Sequence, residues 1–353
     1  MNSLRVNADY ESVLFHHRPQ QKINEAIEFF AFYLSDRPLL TQKNYSKDFL
    51  ESIEFHTRRK CVIKKNGDAE NWWGELRDIK LEQWLNSKLT STELIIKENW
   101  SPETYLLRSE EKRHVPFSKT PMISKDPFEM SGRGFRLYPN GLNEKSISDF
   151  ENKTLILEPL LNRTYDFSHY VFPDGKVICY QNLVDQKFQY KGTLFRDWKS
   201  ARIEDLNFYS LIPLSNWVQF KLQLETIKSY YAQKVLFSEL KFGFSIDSLV
   251  YDQTKIHPLC EVNFRRTMGR VAYEFSEIFA QDKKWTLLLL LPTQKECRIK
   301  LMALVENNKL MVLSPEDSRF TMLFLMANSA EEGKKMADEI KYLLSLSELP
   351  VNI

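Results

Sequence analysis

An α+β fold is expected for this chain, and three features of the sequence predict it. Apolar residues at helical spacing and apolar residues in strand-like alternation fall into separate blocks. Those blocks do not alternate as a regular βαβ series would. The strand-like runs are short and are bounded by turn residues, as antiparallel strands are. With 353 residues, and roughly 150 residues per domain as a prior, the chain is expected to form two domains or one domain with large elaborations.

The elements follow in order. INEAIEFFAFYL, residues 23–34, has helical spacing, and residues 48–60 show it more weakly, so the first hundred residues read as mixed helix and loop. In NWWGELRDIKLEQWLNSKL, Trp72, Trp73, Leu76, Ile79 and Leu81 are spaced to pave one helical face, either as a packing surface between domains or as a substrate platform. From about residue 94 strands are expected in ELIIKENW, PMISKDPF, KTLILEPLL, HYVFPDGKVICYQNLV and QYKGTLF, with Asp174-Gly175 as a hairpin turn. A long amphipathic helix is expected between Trp217 and Leu240, closed by Gly243. Two strands, SIDSLVY and HPLCEVNF, precede a helix from about Thr267 to Ala280. The tail reads as strands in WTLLLLLP, CRIKLMALVE, KLMVLS and RFTMLFLMA, capped by a last helix.

Composition removes several classes of function. Hydrophobic residues at 43% and charged residues at 27% describe a globular chain with a sizeable core, not a disordered one. Lys plus Arg number 49 against 47 Asp plus Glu, and a formal charge of +2 gives no reason to expect nucleic acid. Cys61, Cys179, Cys260 and Cys297 never form C-x-x-C, so neither a zinc knuckle nor a disulfide framework is indicated and a reducing cytoplasm fits. The N-terminus lacks an apolar core of signal-peptide length, and the run Leu287–Leu291 stops at Pro292, so no membrane span is expected. The six histidines show no metal-binding spacing, and the basic run from His56 to Lys65 reads as a solvated face.

Chemistry concentrates in three places. In CEVNFRRTMGRVA, residues 260–272, Glu261 and Asn263 share a strand face with Arg265, offering a carboxylate, an amide oxygen and a guanidinium. Such oxygens suit Mg²⁺, which takes few carboxylates together with substrate phosphates, and Asp247 joins them if the two strands pair antiparallel. Upstream, Lys125 ends a strand and is followed by the loop Ser131, Gly132, Arg133 and Gly134, whose backbone can approach an anion. Gly is scarce, with 10 in the chain, which gives that pair of glycines weight. Between them an apolar strand runs into Glu158 and Pro159, placing one carboxylate and backbone groups where a planar base can meet them. Arg163 and His169 flank DFS and are candidates for a carboxylate-substrate pocket.

This ordered set resembles the ATP-grasp superfamily over roughly Pro121 to Ala280, most specifically in EVNFRRTMG. The Lys…SGRG and E-x-N-x-R-x-TMG forms are similar to those of a subgroup of bacterial ATP-grasp proteins. The resemblance implies an ATP-grasp core at 116–282, a preceding N-terminal subdomain of mixed α/β structure at 1–115 as a candidate for the acceptor site, and a C-terminal strand-rich extension with a terminal helix at 283–353. It implies that Lys125 contacts the α- and β-phosphates and that Ser131, Gly132, Arg133 and Gly134 cover the phosphates. Glu158 and the backbone near Leu160 would meet adenine, and Asp166 the ribose. Asp247, Glu261 and Asn263 would hold Mg²⁺, and Arg265 would stabilise the reacting phosphoryl or acyl-phosphate group. The activity implied is an ATP- and Mg²⁺-dependent ligase joining a carboxylate to an amine or a related nucleophile, with small-molecule or peptide substrates; the alternatives are a catalytically weak ATP-binding sensor or assembly protein, or an ATP-grasp phosphotransferase. The family's earlier ATP-binding lysine has five candidates here: Lys80, Lys88, Lys97, Arg108 and Arg113. Arg266, next to Arg265, is a candidate for facing the acid substrate. The sequence leaves the oligomeric state open.

Overall fold

Strands too short to show any periodicity build the first layer. The computed structural model describes residues 2–108, 118–129, 134–143, 154–292 and 310–343. Its first sheet takes β1 (Ser3–Arg5), β2 (Leu39–Leu40), β3 (Ile63–Lys64) and β4 (Ala69–Asn71) in the order β3-β2-β1-β4, all parallel. Helices α1 (Tyr10–His16), α2 (Gln21–Ile27), α3 (Phe30–Leu34) and α4 (Lys47–Thr57) lie between these strands. The segments read as loop are therefore corrected in part to short strands, which with the helices form a parallel sheet with helical crossovers. INEAIEFFAFYL forms two helices rather than one. At the break between them, Glu28 is buried and accepts hydrogen bonds from the hydroxyls of Thr41 and Tyr45.

Two further expectations for this region are overturned. Trp72 and Trp73 are buried but follow β4 instead of lying on a helix, and Ile79 is exposed. They pack against the chain after Asn263, where the Arg266 N–H donates to the Trp73 carbonyl at 2.8 Å. ELIIKENW is not a strand. It lies in and after α6 (Lys88–Lys97), which follows α5 (Ile79–Asn86) and is capped by the Ser87 hydroxyl accepting from the Leu89 N–H. Thr90, Ser91, Leu94 and Ile95 are buried together, a spacing only a helix gathers on one side, and that packing overrides the strand preference of Leu-Ile-Ile.

The second sheet is antiparallel, in the order β5-β8-β6-β7, with β5 (Tyr105–Leu107), β6 (Met122–Lys125), β7 (Phe135–Tyr138) and β8 (Leu155–Pro159). The third has eight antiparallel strands. It starts from β9 (Arg163–Val171), β10 (Val177–Val184) and β11 (Tyr190–Phe195), then passes through α7 (Leu214–Ala232) to β12 (Phe244–Tyr251) and β13 (Lys255–Asn263). After α8 (Met268–Phe279) come β14 (Trp285–Pro292), β15 (Leu310–Val312), β16 (Phe320–Ala327) and α9 (Ala330–Leu343). The spatial order is β13-β12-β9-β10-β11-β14-β16-β15, so the strands after residue 283 continue this sheet through the pairing of β11 with β14. CRIKLMALVE, residues 297–306, lies outside the described residues. Among them, no helix is long and apolar enough to cross a membrane.

The two faces of this sheet separate packing from chemistry. Trp217, Phe220, Leu224, Ile227 and Tyr231 form the buried side of α7 and pack on Phe167, Ile246, Leu259 and Val262. Strand alternation then turns Asp166, Ser168 and Asp247 toward the opposite face. The helix is shorter than expected and ends at Ala232, so Gly243 does not close it. Gly243 instead opens β12 with φ +76°, and a Cβ there would stand 2.1 Å from the Val171 carbonyl oxygen. Gly243→Ala therefore combines a left-handed backbone with a backbone collision, and a loss of about 3 kcal/mol is expected from strain of this kind. Urea denaturation measures it, and an unchanged midpoint would contradict this account of the approach.

Candidate functional site

The antiparallel pairing of β12 with β13 sets Asp247 directly opposite Glu261, and pairing with β9 sets it opposite Ser168. Asp247 Oδ1 accepts from the Ser168 hydroxyl at 2.7 Å and from the Ser245 hydroxyl at 3.2 Å. The Asn263 amide nitrogen donates to Asp247 Oδ2 at 2.9 Å and to Glu261 Oε1 at 3.4 Å, so both carboxylates converge on one amide. Burial, together with the charge of Glu261, pushes the Asp247 carboxyl up to about 7. Burial acts the same way on Glu261, but Lys88 and Arg265 outweigh it and hold that carboxyl below its ordinary range. Two carboxylates so close are stable only with cations beside them. Among the described residues no group of three or more His, Cys, Asp or Glu side chains is placed to hold a metal ion. The site offers two carboxylates and an amide, the donor set of a hard cation that completes its shell from a substrate.

Of the candidate lysines, the structure brings Lys88 to this cluster. It begins α6, and its ammonium lies 3.2 Å from Glu261 Oε2 while donating to the Glu129 carbonyl. Lys80 is exposed, Lys97 lies over the Tyr230 ring, and Arg108 pairs with Glu93 at 2.8 Å. Arg113 lies outside the described residues. Lys88 thus ties an acid of the third sheet to the loop after β6. That loop is pinned at its base by the Asp126 N–H donating to the Gly134 carbonyl at 2.8 Å. Gly134 has φ +65°, and a Cβ there would stand 2.6 Å from Glu129 Cβ. Ser131, Gly132 and Arg133 lie outside the described residues.

Lys125, half-buried at the end of β6, forms an ion pair with the buried Glu158 on β8. Burial disfavours both charges, yet each holds the other ionised: the lysine is raised and the glutamate lowered. The Leu160 N–H donates to the Pro121 carbonyl at 2.8 Å, so that residue has only its carbonyl to offer a ligand. Asp166 pairs with Arg163, whose guanidinium lies 4.6 Å from the Phe188 ring centroid. Burial raises the Asp166 carboxyl and Arg163 only partly offsets it.

Arg265 leaves the end of β13 and reaches Glu11 on α1, with its Nε and one terminal nitrogen each 2.8 Å from the carboxylate. The same terminal nitrogen also donates to Asn263 Oδ1 at 3.0 Å. Nothing in the sequence links Glu11 to Arg265, 254 positions away. Arg266 does not face a substrate. It is buried over the Trp72 ring at 4.2 Å and paired with Glu274.

His169 also leaves the candidate list. It lies on the apolar face between Phe167 and Phe220, with ring centroids 5.9 and 5.3 Å away. Cys260 stands within the influence of Lys125, Arg163 and Glu158, but burial raises its thiol, which leaves it protonated and unreactive.

The chain is similar to solved structures over almost its whole length. The N5-carboxyaminoimidazole synthetase of Staphylococcus aureus, complexed with ADP, matches with a TM-score of 0.53 at 12% identity, covering 96% of this chain and 98% of that one. The carboxyaminoimidazole ribonucleotide synthase of Aspergillus clavatus, complexed with ATP, matches with a TM-score of 0.50 at 11% identity, covering 98% and 99%. No protein-family model and no curated protein matches the chain. At this identity the likeness concerns the fold, which is the ATP-grasp fold, of α+β class.

The burial of His169 has a measurable consequence. Burial pushes its imidazole down to about 3 from an ordinary value of 6.5. Between those values the unfolded chain binds the proton and the folded chain does not, so stability is intact above about pH 6.5 and falls as pH drops through that window. His169→Leu removes this contribution. The drop in urea midpoint from pH 7 to pH 5 is expected to be smaller in the variant than in the parent protein. Equal drops would show that His169 titrates normally.

Proposed function

With the ATP-grasp fold as premise, we propose that the chain is an ATP- and Mg²⁺-dependent ligase that joins a carboxylate to an amine through an acyl-phosphate. The observation that carries this reading is the pair Asp247 and Glu261, opposed on neighbouring strands, with Lys88 and Arg265 as the cations acting on Glu261.

The parts divide as the chemistry requires. Lys88 and Lys125 neutralise phosphate oxygens, and the loop ending at Gly134, with Ser131, Gly132 and Arg133, covers them. Glu158 and the Leu160 carbonyl meet the base, and Asp166 binds the ribose. Asp247, Glu261 and Asn263 would hold Mg²⁺, which supplies charge neutralisation for the polyphosphate. Arg265, steadied by Glu11 at 2.8 Å, stabilises the transferring phosphoryl group. The bond between the γ-phosphorus and ADP breaks as the substrate carboxylate oxygen bonds to that phosphorus. The amine then attacks the acyl carbon, phosphate leaves and the amine loses a proton. Positioning and electrostatics supply most of the rate, because the protein forms no bond itself.

Binding and turnover test this separately. With Mg²⁺ and a non-hydrolysable ATP analogue at 100 times its dissociation constant, the folded state is expected to gain about 2.7 kcal/mol, read as a rise in melting temperature. Glu261→Ala is expected to lose that Mg²⁺-dependent rise and to abolish ADP release across a panel of acids and amines. ADP release that persists in Glu261→Ala would sink the assignment.

A further inference from the structure

Along the same face one histidine has nothing to bond. His257 in β13 is 1% exposed, and neither ring nitrogen has a hydrogen-bond partner among the described residues. Its direction follows from the register. Val250 pairs with Ile256, Leu249 with His257, and Asp247 with Glu261, so two steps along β12 match four along β13. The extra length is a bulge around Pro258, whose carbonyl accepts from the Ser248 hydroxyl at 2.8 Å. Ile256, Leu259 and Val262 keep the side packed with α7. His257 therefore shares the other face with Asp247 and Glu261. The charges acting on the ring are Glu158, Lys125 and Arg163, which places it toward β8 and the start of β9.

Burying an imidazole with both nitrogens unpaired is unfavourable, and such a group calls for a partner that the protein does not itself supply. Burial pushes this ring down to about 4, so at pH 7 it is neutral and offers one N–H and one lone pair. A phosphate would favour a cation, and Lys88 and Lys125 already serve that end of the site. A heterocyclic base suits a neutral donor and acceptor. The row across the sheet agrees: His257 pairs with the buried Leu249, and Leu249 pairs with Asp166.

We propose that His257 is a binding residue for the base of the nucleotide, one ring nitrogen forming a hydrogen bond to an edge atom of the heterocycle held between β8 and the face of β12 and β13. This rests on the nucleotide reading above and adds to it the residue and the part of the ligand it reads.

The test compares ATP with inorganic tripolyphosphate, which has the charge but no base. Dissociation constants are measured by calorimetry with Mg²⁺ for the parent protein, His257→Leu and His257→Gln. His257→Leu is expected to weaken ATP about tenfold and tripolyphosphate less than about twofold, while raising the melting temperature of the ligand-free protein by removing unpaired polar atoms. His257→Gln, which keeps a donor and an acceptor, is expected to stay within about threefold of the parent for ATP. In the parent protein labelled with ¹⁵N-histidine, ATP should shift one buried imidazole and tripolyphosphate should not, a reading that needs no variant to fold. Unchanged ATP affinity in His257→Leu, or equal losses for both ligands, overturns the role of His257 and leaves the nucleotide reading standing. A parent protein that binds neither ligand overturns the nucleotide reading, and this inference falls with it.

Discussion

The mutual repulsion of Asp247 and Glu261 is the constraint around which the rest is arranged. Antiparallel register puts them abreast, and burial makes each charge harder to carry. The response is asymmetric. Glu261 has the cations Lys88 and Arg265 and stays ionised, whereas Asp247 is held by hydroxyls and an amide and is pushed toward neutrality. These cations come from α6 and from the chain after β13, and Arg265 is fixed in turn by Glu11 on α1. Three segments far apart in sequence therefore meet where two carboxylates require them. The arrangement is costly for stability, and that cost is what our proposal of a bound polyvalent cation accounts for.

The same economy explains the faces of the large sheet. The side under α7 is sealed by Trp217, Phe220 and their neighbours, which makes β9, β12 and β13 rigid. A rigid strand fixes its outward side chains to within the pleat, so Asp166, Ser168, Asp247 and Glu261 hold their positions without a framework of their own. The second sheet carries Lys125 and Glu158, which neutralise one another. Lys88 connects the two layers, reaching Glu261 on one and the Glu129 carbonyl on the other. Binding that displaces Lys88 from Glu129 would thus act on the loop and on the acid pair together.

Much of this was legible in the sequence because it depends on local pattern. Strand alternation placed Glu261 and Asn263 on one face, the turn residues located the hairpin at Gly175, and the α+β class followed from the separation of periodicities. What was not legible depends on distant packing. β1 to β4 span at most three residues, fewer than any period requires. The helix over residues 88–97 hides behind β-branched residues because its burial, not its propensity, decides it. The orientation of His257 is hidden by a bulge, for which Pro258 was the available signal, since proline within a strand marks an edge or an irregularity. β13 is indeed an edge strand.

Arg265 and Arg266 show how one residue step separates function from framework. They are adjacent and both pair with a glutamate, but Arg266 is buried and Arg265 half-buried, and they reach different neighbours as the chain leaves β13. Arg265 bonds Asn263 and Glu11 and so belongs to the acid cluster. Arg266 lies on Trp72, donates to the Trp72 carbonyl and pairs with Glu274, which also holds Arg270. That second network joins the N-terminal sheet to α8, directly behind the site. The planar guanidinium serves both purposes, by stacking on an indole in one case and by a forked contact with a carboxylate in the other. A lysine would keep the charge at either position but lose the fork or the stack. The pair of arginines is therefore not redundant: one joins the acid cluster, and the other fixes the chain that presents it.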